Sequence, residues 1–131
     1  MAQVTVRAAL PAPLKQDVSI RQHRLTGDEE TALGGTDAGP NPFELLLSAL
    51  GCCTSMTLEH YATRKGWPLA GVTVKLEHKR GEKGEPDTFT RELTLEGALD
   101  AEQRARLLEI ANKCPVHKTL SGASRIETRL V

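Results

Sequence analysis

Residues 4–8 (VTVRA) and 18–25 (VSIRQHRL) alternate apolar and polar positions, the two-residue period of a half-buried strand. The stretch LPAPLKQD between them carries two prolines and reads as a turn, so the chain is expected to open with a hairpin. Residues 26–42 (TGDEETALGGTDAGPNP) are rich in glycine, acids and proline, which excludes a regular element and predicts a long surface loop. Loops of that length in a compact domain are usually functional or mobile.

The hydrophobic period then changes to that of a helix. Asn41 is placed to cap it, Pro42 suits its first position and Glu44 falls where a capping box needs an acid. The helix is expected to run from Pro42 to about Lys65 and to stop at Gly66, with Pro68 beyond. Leucines at 45, 46, 47, 50 and 58 fall on nearly every side of it, with Ala49, Cys52, Cys53 and Met56 between, so it must be covered almost all round. One stripe, through Glu44, Ser48, Gly51, Ser55, Glu59 and Ala62, is polar or small and would let another backbone come close. One small sheet from the same chain could hardly cover the remaining faces. A homo-oligomer with this helix at its interface is therefore expected.

Residues 71–80 (GVTVKLEHKR) and 88–97 (TFTRELTLEG) alternate again around the turn GEKGEPD, predicting a long antiparallel hairpin with a charged tip. Residues 99–114 predict a second helix capped at Asp100, with Leu107, Leu108, Ile110 and Ala111 on its apolar side. A short third helix starts at Pro115 and ends at Gly122, and 124–131 (SRIETRLV) predicts a last strand. Strands, loop, long helix, hairpin, two helices and strand make an α+β chain, read as a single domain over 1–131, without the alternation of a parallel sheet.

Composition narrows the function. Seventeen basic residues against seventeen acidic give no field that would gather nucleic acid or an anionic membrane. The four aromatic residues, Phe43, Tyr61, Trp67 and Phe89, leave the core to aliphatic side chains and provide no platform for stacked bases. The N-terminus lacks the basic and apolar regions of a leader, and no apolar run approaches spanning length, so a cytoplasmic protein acting on a small molecule or another protein is expected. Three cysteines are too few for a secreted disulfide framework.

Cys53 shares a helical phase with Leu46, Ala49 and His60, whereas Cys52 points 100° away, as adjacent helical residues must. At most one of the two is expected in the chemistry, and either can be a small buried hydrophobe. Cys114 precedes Pro115 at a helix start, where backbone N–H groups stabilise a thiolate, with Lys113, His117 and Lys118 nearby; it can equally be an idle cap. Cys114 and His117 have the spacing of half a zinc site, but no second close ligand pair accompanies them, and no metal is assigned.

The segments GPNPFELLLSALGCCTSMTLEHYATRKGWPL (39–69) and NKCPVHKTL (112–120) together resemble the OsmC/Ohr family of thiol-dependent peroxidases, and most of all its broad OsmC-like branch. The resemblance extends over most of 18–131. It implies the OsmC-like fold, with an antiparallel sheet packed on a long central helix, in an intertwined homodimer with its site at the subunit interface. Counting from Asn41-Pro42 places the family's peroxidatic cysteine at Cys53 and its resolving partner at Cys114. The implied reaction needs no cofactor: Cys53 attacks a hydroperoxide and becomes a sulfenic acid, Cys114 forms a disulfide with it, and an external dithiol, of lipoyl type in this family, resets the pair. An apolar pocket would favour organic over hydrogen peroxide by burying the alkyl tail.

The chain also departs from the pattern. The best-studied branch activates its cysteine with an N-terminal arginine and a glutamate directly after Asn-Pro, where this chain has Phe43, with Glu44 one residue later. Arg21 and Arg24 are the candidate arginines, and His23 and His60 are further candidates for support. Asp28, Glu29 and Asp37, in the loop, have no role assigned by the resemblance. The missing acid leaves an alternative open, an OsmC-like dimer that binds a small apolar or thiol-reactive ligand with little turnover.

Overall fold

The computed structural model describes residues 1–8 and 10–131. In chain order it has β1 (Thr5–Ala8), β2 (Gln16–Ile20), β3 (His23–Gly27), a short 3-10 turn (Thr31–Leu33), α1 (Pro42–Lys65), β4 (Gly71–Lys79), β5 (Thr88–Glu96), α2 (Ala101–Ala111) and α3 (Pro115–Ser121). The strands form two antiparallel sheets, β1-β2-β3 and β4-β5. By contact the chain divides into two compact units, Met1–Leu46 and Leu47–Val131, with α1 beginning in the first and continuing in the second.

In the first unit the expected strand over 18–25 is two strands, because Ile20 pairs with His23 across a turn at Arg21-Gln22. Arg21 has φ 53°, the left-handed backbone that a tight hairpin loop needs, and Arg24 closes the turn by donating from Nη1 to the carbonyls of Arg21 and His23, each at 2.9 Å. The alternation of VSIRQHRL lapses at Gln22, but no glycine or asparagine marks a turn there, so the sequence alone reads as one strand.

The loop that follows is organised by one carboxylate. Asp28 is 2% exposed and accepts from the Thr36 hydroxyl at 2.6 Å, Glu29 N at 2.8 Å and Ala38 N at 3.1 Å. These donors, the Thr36 hydroxyl first, lower its pKa from 3.8 to about 2, against the opposing effect of burial. Gly39 lets the chain pass against Thr26, since a Cβ there would run into the Thr26 carbonyl.

Helix α1 has its predicted bounds. Asn41 Oδ1 accepts from Glu44 N at 2.8 Å, and Glu44 Oε1 accepts from Asn41 N at 2.9 Å, a complete capping box. At the other end Gly66 has φ 68°, which lets Trp67 N return to the Ala62 carbonyl at 2.9 Å.

In the second unit, α1, α2 and the β4-β5 hairpin enclose one core. Leu58 and Ala62 of α1 meet Leu107, Ile110 and Ala111 of α2, with Val72, Leu93 and Leu95 packed against them. The predicted small stripe is used within the chain, since a Cβ on buried Gly51 would lie 2.8 Å from Leu76 of β4. Helix α2 starts with a capping box between Asp100 and Gln103 and ends at Ala111, three residues before the end that its apolar period suggests, so Cys114 becomes the cap of α3. The last strand expected over 124–131 does not form. Its residues alternate but are exposed, and neither β4 nor β5 takes them into a ladder. No helix among the described residues is long and apolar enough to cross a membrane.

Candidate active site: a thiol pair beside an arginine

The sequence places Cys114 between two helices and caps α3 with it. Pro115 fixes the first helical position, and the Cys114 sulfur accepts from His117 N at 3.3 Å, the role a serine or aspartate oxygen has in most caps. Cys114 is fully buried. Cys53, on α1, is half-buried and lies near enough to Cys114 to help lower the pKa of that thiol. The next α1 residue, buried Thr54, places its hydroxyl 3.9 Å from that sulfur and donates to the Leu50 carbonyl at 2.6 Å.

Behind the sulfur stands Arg91 of β5. Its row on the strand is Phe89, Arg91, Leu93 and Leu95, all half-buried, so a cation occupies an apolar phase. Nη1 donates to the Thr54 hydroxyl at 2.9 Å and the Ala111 carbonyl at 3.1 Å, and Nη2 to Asn112 Oδ1 at 3.0 Å and His117 Nδ1 at 2.7 Å. No carboxylate is among these partners.

Burial pushes the Cys114 thiol up, but the His117 N–H, Cys53, Thr54 and the charge of Arg91 together outweigh it, leaving the pKa below an ordinary thiol's. Burial, and then Arg91, lower the pKa of His117. A neutral ring that accepts at Nδ1 carries its proton on Nε2.

One cavity opens on Cys53 and a second on Arg91 and His117. The first, open and mostly apolar, of about 490 Å³, is bounded by Ala49, Cys52, Cys53, Met56, His60 and Pro115. The second, about 430 Å³, is bounded by Leu50, Asp87, Phe89, Arg91, His117 and Leu120. Cys52 and Cys53 thus border the same cavity despite their 100° separation, because the opening is wide enough to span both phases of the helix.

Of the residues singled out in the sequence, Cys53 and Cys114 are brought together, and His60 borders the Cys53 cavity. His117 meets both the Cys114 sulfur and Arg91, whereas the candidates for support named from the N-terminal part of the chain lie in the first unit. Glu44 is engaged in its capping box, Arg21 forms the β2-β3 turn, Arg24 holds that turn, and His23 is an exposed residue at the start of β3. Arg91, Thr54 and Asn112 were not anticipated. Arg91 carried a visible signal, a charge on the inward phase of an alternating strand, whereas Thr54 and Asn112 carried none. Among the described residues no group of three or more His, Cys, Asp or Glu side chains is placed to hold a metal ion.

These features define the class: an α+β protein whose long helix presents one thiol to a cavity and to a second, buried thiol. The model of the OsmC-like protein family matches residues 35–129, and the chain belongs to that family. No curated protein matches it. Among solved structures, it is similar to an OsmC-like protein from Mycoplasma pneumoniae, with 17% identity, 93% of this chain and 88% of that one covered, and a TM-score of 0.79. It is also similar to the organic hydroperoxide resistance protein OsmC of Legionella pneumophila (17% identity, 93% and 90% covered, TM-score 0.69). A third is the organic hydroperoxide resistance protein OhrB of Bacillus subtilis (21%, 93% and 91%, TM-score 0.65). At these identities the likeness establishes the fold.

Proposed function

We propose that this protein is a cysteine-based peroxidase that reduces organic hydroperoxides, acting as a cytoplasmic homodimer without a cofactor. The observation that carries the reading is the half-buried Cys53 thiol, which borders an apolar cavity and reaches the sulfur of a fully buried second cysteine. Only Cys53 of the two is open to an oxidant, so it meets the peroxide and Cys114 resolves it. Attack of the Cys53 sulfur on the O–O bond gives a sulfenic acid and an alcohol; Cys114 then displaces water to form the disulfide, which an external dithiol reduces. The apolar cavity wall favours an alkyl hydroperoxide over hydrogen peroxide by burying its tail.

The dimer reading has its own support. Along α1, Ala49, Cys52 and Met56 are exposed, leaving an apolar flank that no described residue covers.

A coupled assay with cumene hydroperoxide and dihydrolipoamide tests the enzyme. Repeated turnover is expected, lost in both Cys53→Ser and Cys114→Ser, with a sulfenate at Cys53 that dimedone traps after prolonged exposure of the latter to hydroperoxide. Failure of organic hydroperoxide to consume any thiol would leave the ligand-binding alternative in its place. That alternative draws on the acid missing at Phe43, with Glu44, one residue later, held in a helix cap.

A further inference from the structure

Arg91 is a half-buried cation whose four hydrogen-bond acceptors are all neutral. Burying a cation in that way is costly unless an anion lies close. Asp87 borders the same cavity, but its carboxylate is engaged by His78 Nε2 at 2.8 Å and Gly81 N at 3.1 Å. The group beside Arg91 that can accept a negative charge is the Cys114 sulfur. Two of the guanidinium's contacts fall on residues that touch this sulfur, Thr54, whose hydroxyl lies 3.9 Å from it, and His117, which donates its backbone N–H to it; a third falls on the Ala111 carbonyl, which also accepts from Cys114 N at 3.5 Å.

We propose that Arg91 is the positioning residue of the thiol pair, holding Cys114 as the resting thiolate so that Cys114 acts first as the base for Cys53 and only later as its resolving nucleophile. The proposal rests on the peroxidase reading given above. The steps balance. The Cys53 S–H gives its proton to the Cys114 thiolate, and the Cys53 thiolate attacks the outer oxygen of the hydroperoxide. The O–O bond breaks, Cys53 becomes a sulfenic acid, and the departing alkoxide takes the proton from Cys114 and leaves as the alcohol. Cys114, a thiolate again, attacks the Cys53 sulfur; the S–O bond breaks, the S–S bond forms, and hydroxide leaves as water with a proton from solvent. Two thiols are oxidised and one peroxide is reduced to alcohol and water.

In this arrangement one proton shuttles between two sulfurs, and the buried thiol never needs to meet the peroxide. Arg91 takes the place that the resemblance gives to an arginine and a glutamate near the start of the chain. The titratable groups around the pair are His117 from α3, His60 from α1 bordering the Cys53 cavity, and Asp87 with His78 from the hairpin. His117 faces Arg91 as a neutral acceptor, and the Asp87 carboxylate is engaged by His78 Nε2 and Gly81 N, which leaves Arg91 as the charge acting on the sulfur.

The test is a pH titration of thiolate absorbance near 240 nm in the reduced full-length chain carrying Cys52→Ser, beside the rate of hydroperoxide consumption at pH 7. One thiolate per chain is expected to form below the range of an ordinary thiol, to be absent in Cys114→Ser, to be displaced to higher pH in Arg91→Met and partly restored in Arg91→Lys. With the guanidinium charge gone, the rate at pH 7 should fall about tenfold or more, and regain its wild-type value as the pH is raised. If Arg91→Met does not fold, Thr54→Val keeps the shape and removes the hydroxyl between guanidinium and sulfur, and a smaller shift in the same direction is expected. A low-pH thiolate that survives in Cys114→Ser, or an unaltered titration in folded Arg91→Met or Thr54→Val, overturns the proposal. Hydroperoxide turnover in Arg91→Met with the wild-type rate and pH profile also overturns it and leaves the peroxidase reading standing. The expected titration without any turnover supports Arg91 as the partner of Cys114 and removes the peroxidase reading instead.

Discussion

Leu107 and Leu108 are neighbours on α2 with identical side chains, but the first is 0% exposed and the second 60%. Truncating Leu107 to alanine removes three carbons, worth about 2.4 kcal/mol at about 0.8 kcal/mol per buried carbon. A cavity term adds to this, and buried Leu→Ala changes span about 2.7–5 kcal/mol. The site is walled by Leu58, Ala62, Ile110 and Ala111, of which two are alanines with nothing to move into the gap. A loss of about 3–4 kcal/mol is therefore expected. At about 2.1 cal/mol/K of unfolding entropy per residue, it corresponds to a Tm lower by about 10–15 °C. Leu108→Ala should stay within about 0.5 kcal/mol of wild type. Urea and thermal melts of the two variants, followed by circular dichroism at one chain concentration, measure the difference. Two variants of equal stability, or Leu108→Ala the weaker, would refute the packing argument. The site is coupled to this core through α2, because Ala111 and Asn112 anchor Arg91 and Cys114 follows directly. Leu107→Ala should accordingly slow the proposed hydroperoxide reduction as well.

Met56, 64% exposed on the uncovered flank of α1, is expected at the interface of the proposed dimer, so Met56→Lys should halve the mass measured by light scattering; an unchanged dimer mass would locate the interface elsewhere, and a monomeric wild type would remove the dimer. Asp28 has a folded pKa of about 2, below its unfolded value, so its stabilising effect is complete above about pH 4 and is lost as the pH falls toward 2. Asp28→Asn should flatten that part of the stability profile, measured by urea midpoints between pH 2 and 6, and an unflattened profile would show that other carboxylates dominate. Gly39→Ala should destabilise the first unit by about 1–3 kcal/mol, since its Cβ would meet the fixed Thr26 carbonyl; a Tm within about 1 °C of wild type would contradict this.

Elements with a strong period and a chemical stop were legible in the sequence. Helix α1 announced both ends through Asn41, Pro42, Glu44 and Gly66, and the β4-β5 hairpin announced itself by alternation and its glycine-rich turn. Two strands were not legible, for different reasons. The β2-β3 turn is made by Arg21 in a left-handed conformation, which a side chain other than glycine adopts only when tertiary structure supports it, here through Arg24. The segment 124–131 has a strand's pattern without a partner in this chain, and a pattern states which face would be buried, not whether a neighbouring edge exists.

The thiol pair was legible only through the family resemblance, since residues 53 and 114 share no local signal. Composition and spacing left each cysteine with an inert reading. Arg91 is the converse case: the resemblance looked for an arginine near the start of the chain, while the alternation of TFTRELTLE already placed a cation among Phe89, Leu93 and Leu95. A charge on the buried phase of a strand must meet an opposite charge or a dense set of acceptors, because leaving it unpaired costs several kcal/mol, more than a typical side-chain contact returns. Carrying that requirement through the sequence asks which group faces β5 from across the core. The residues that answer it are the cap of α3 and the helix turn that bears Thr54, so the same physical rule that marks Arg91 as unusual leads to the sulfur of Cys114.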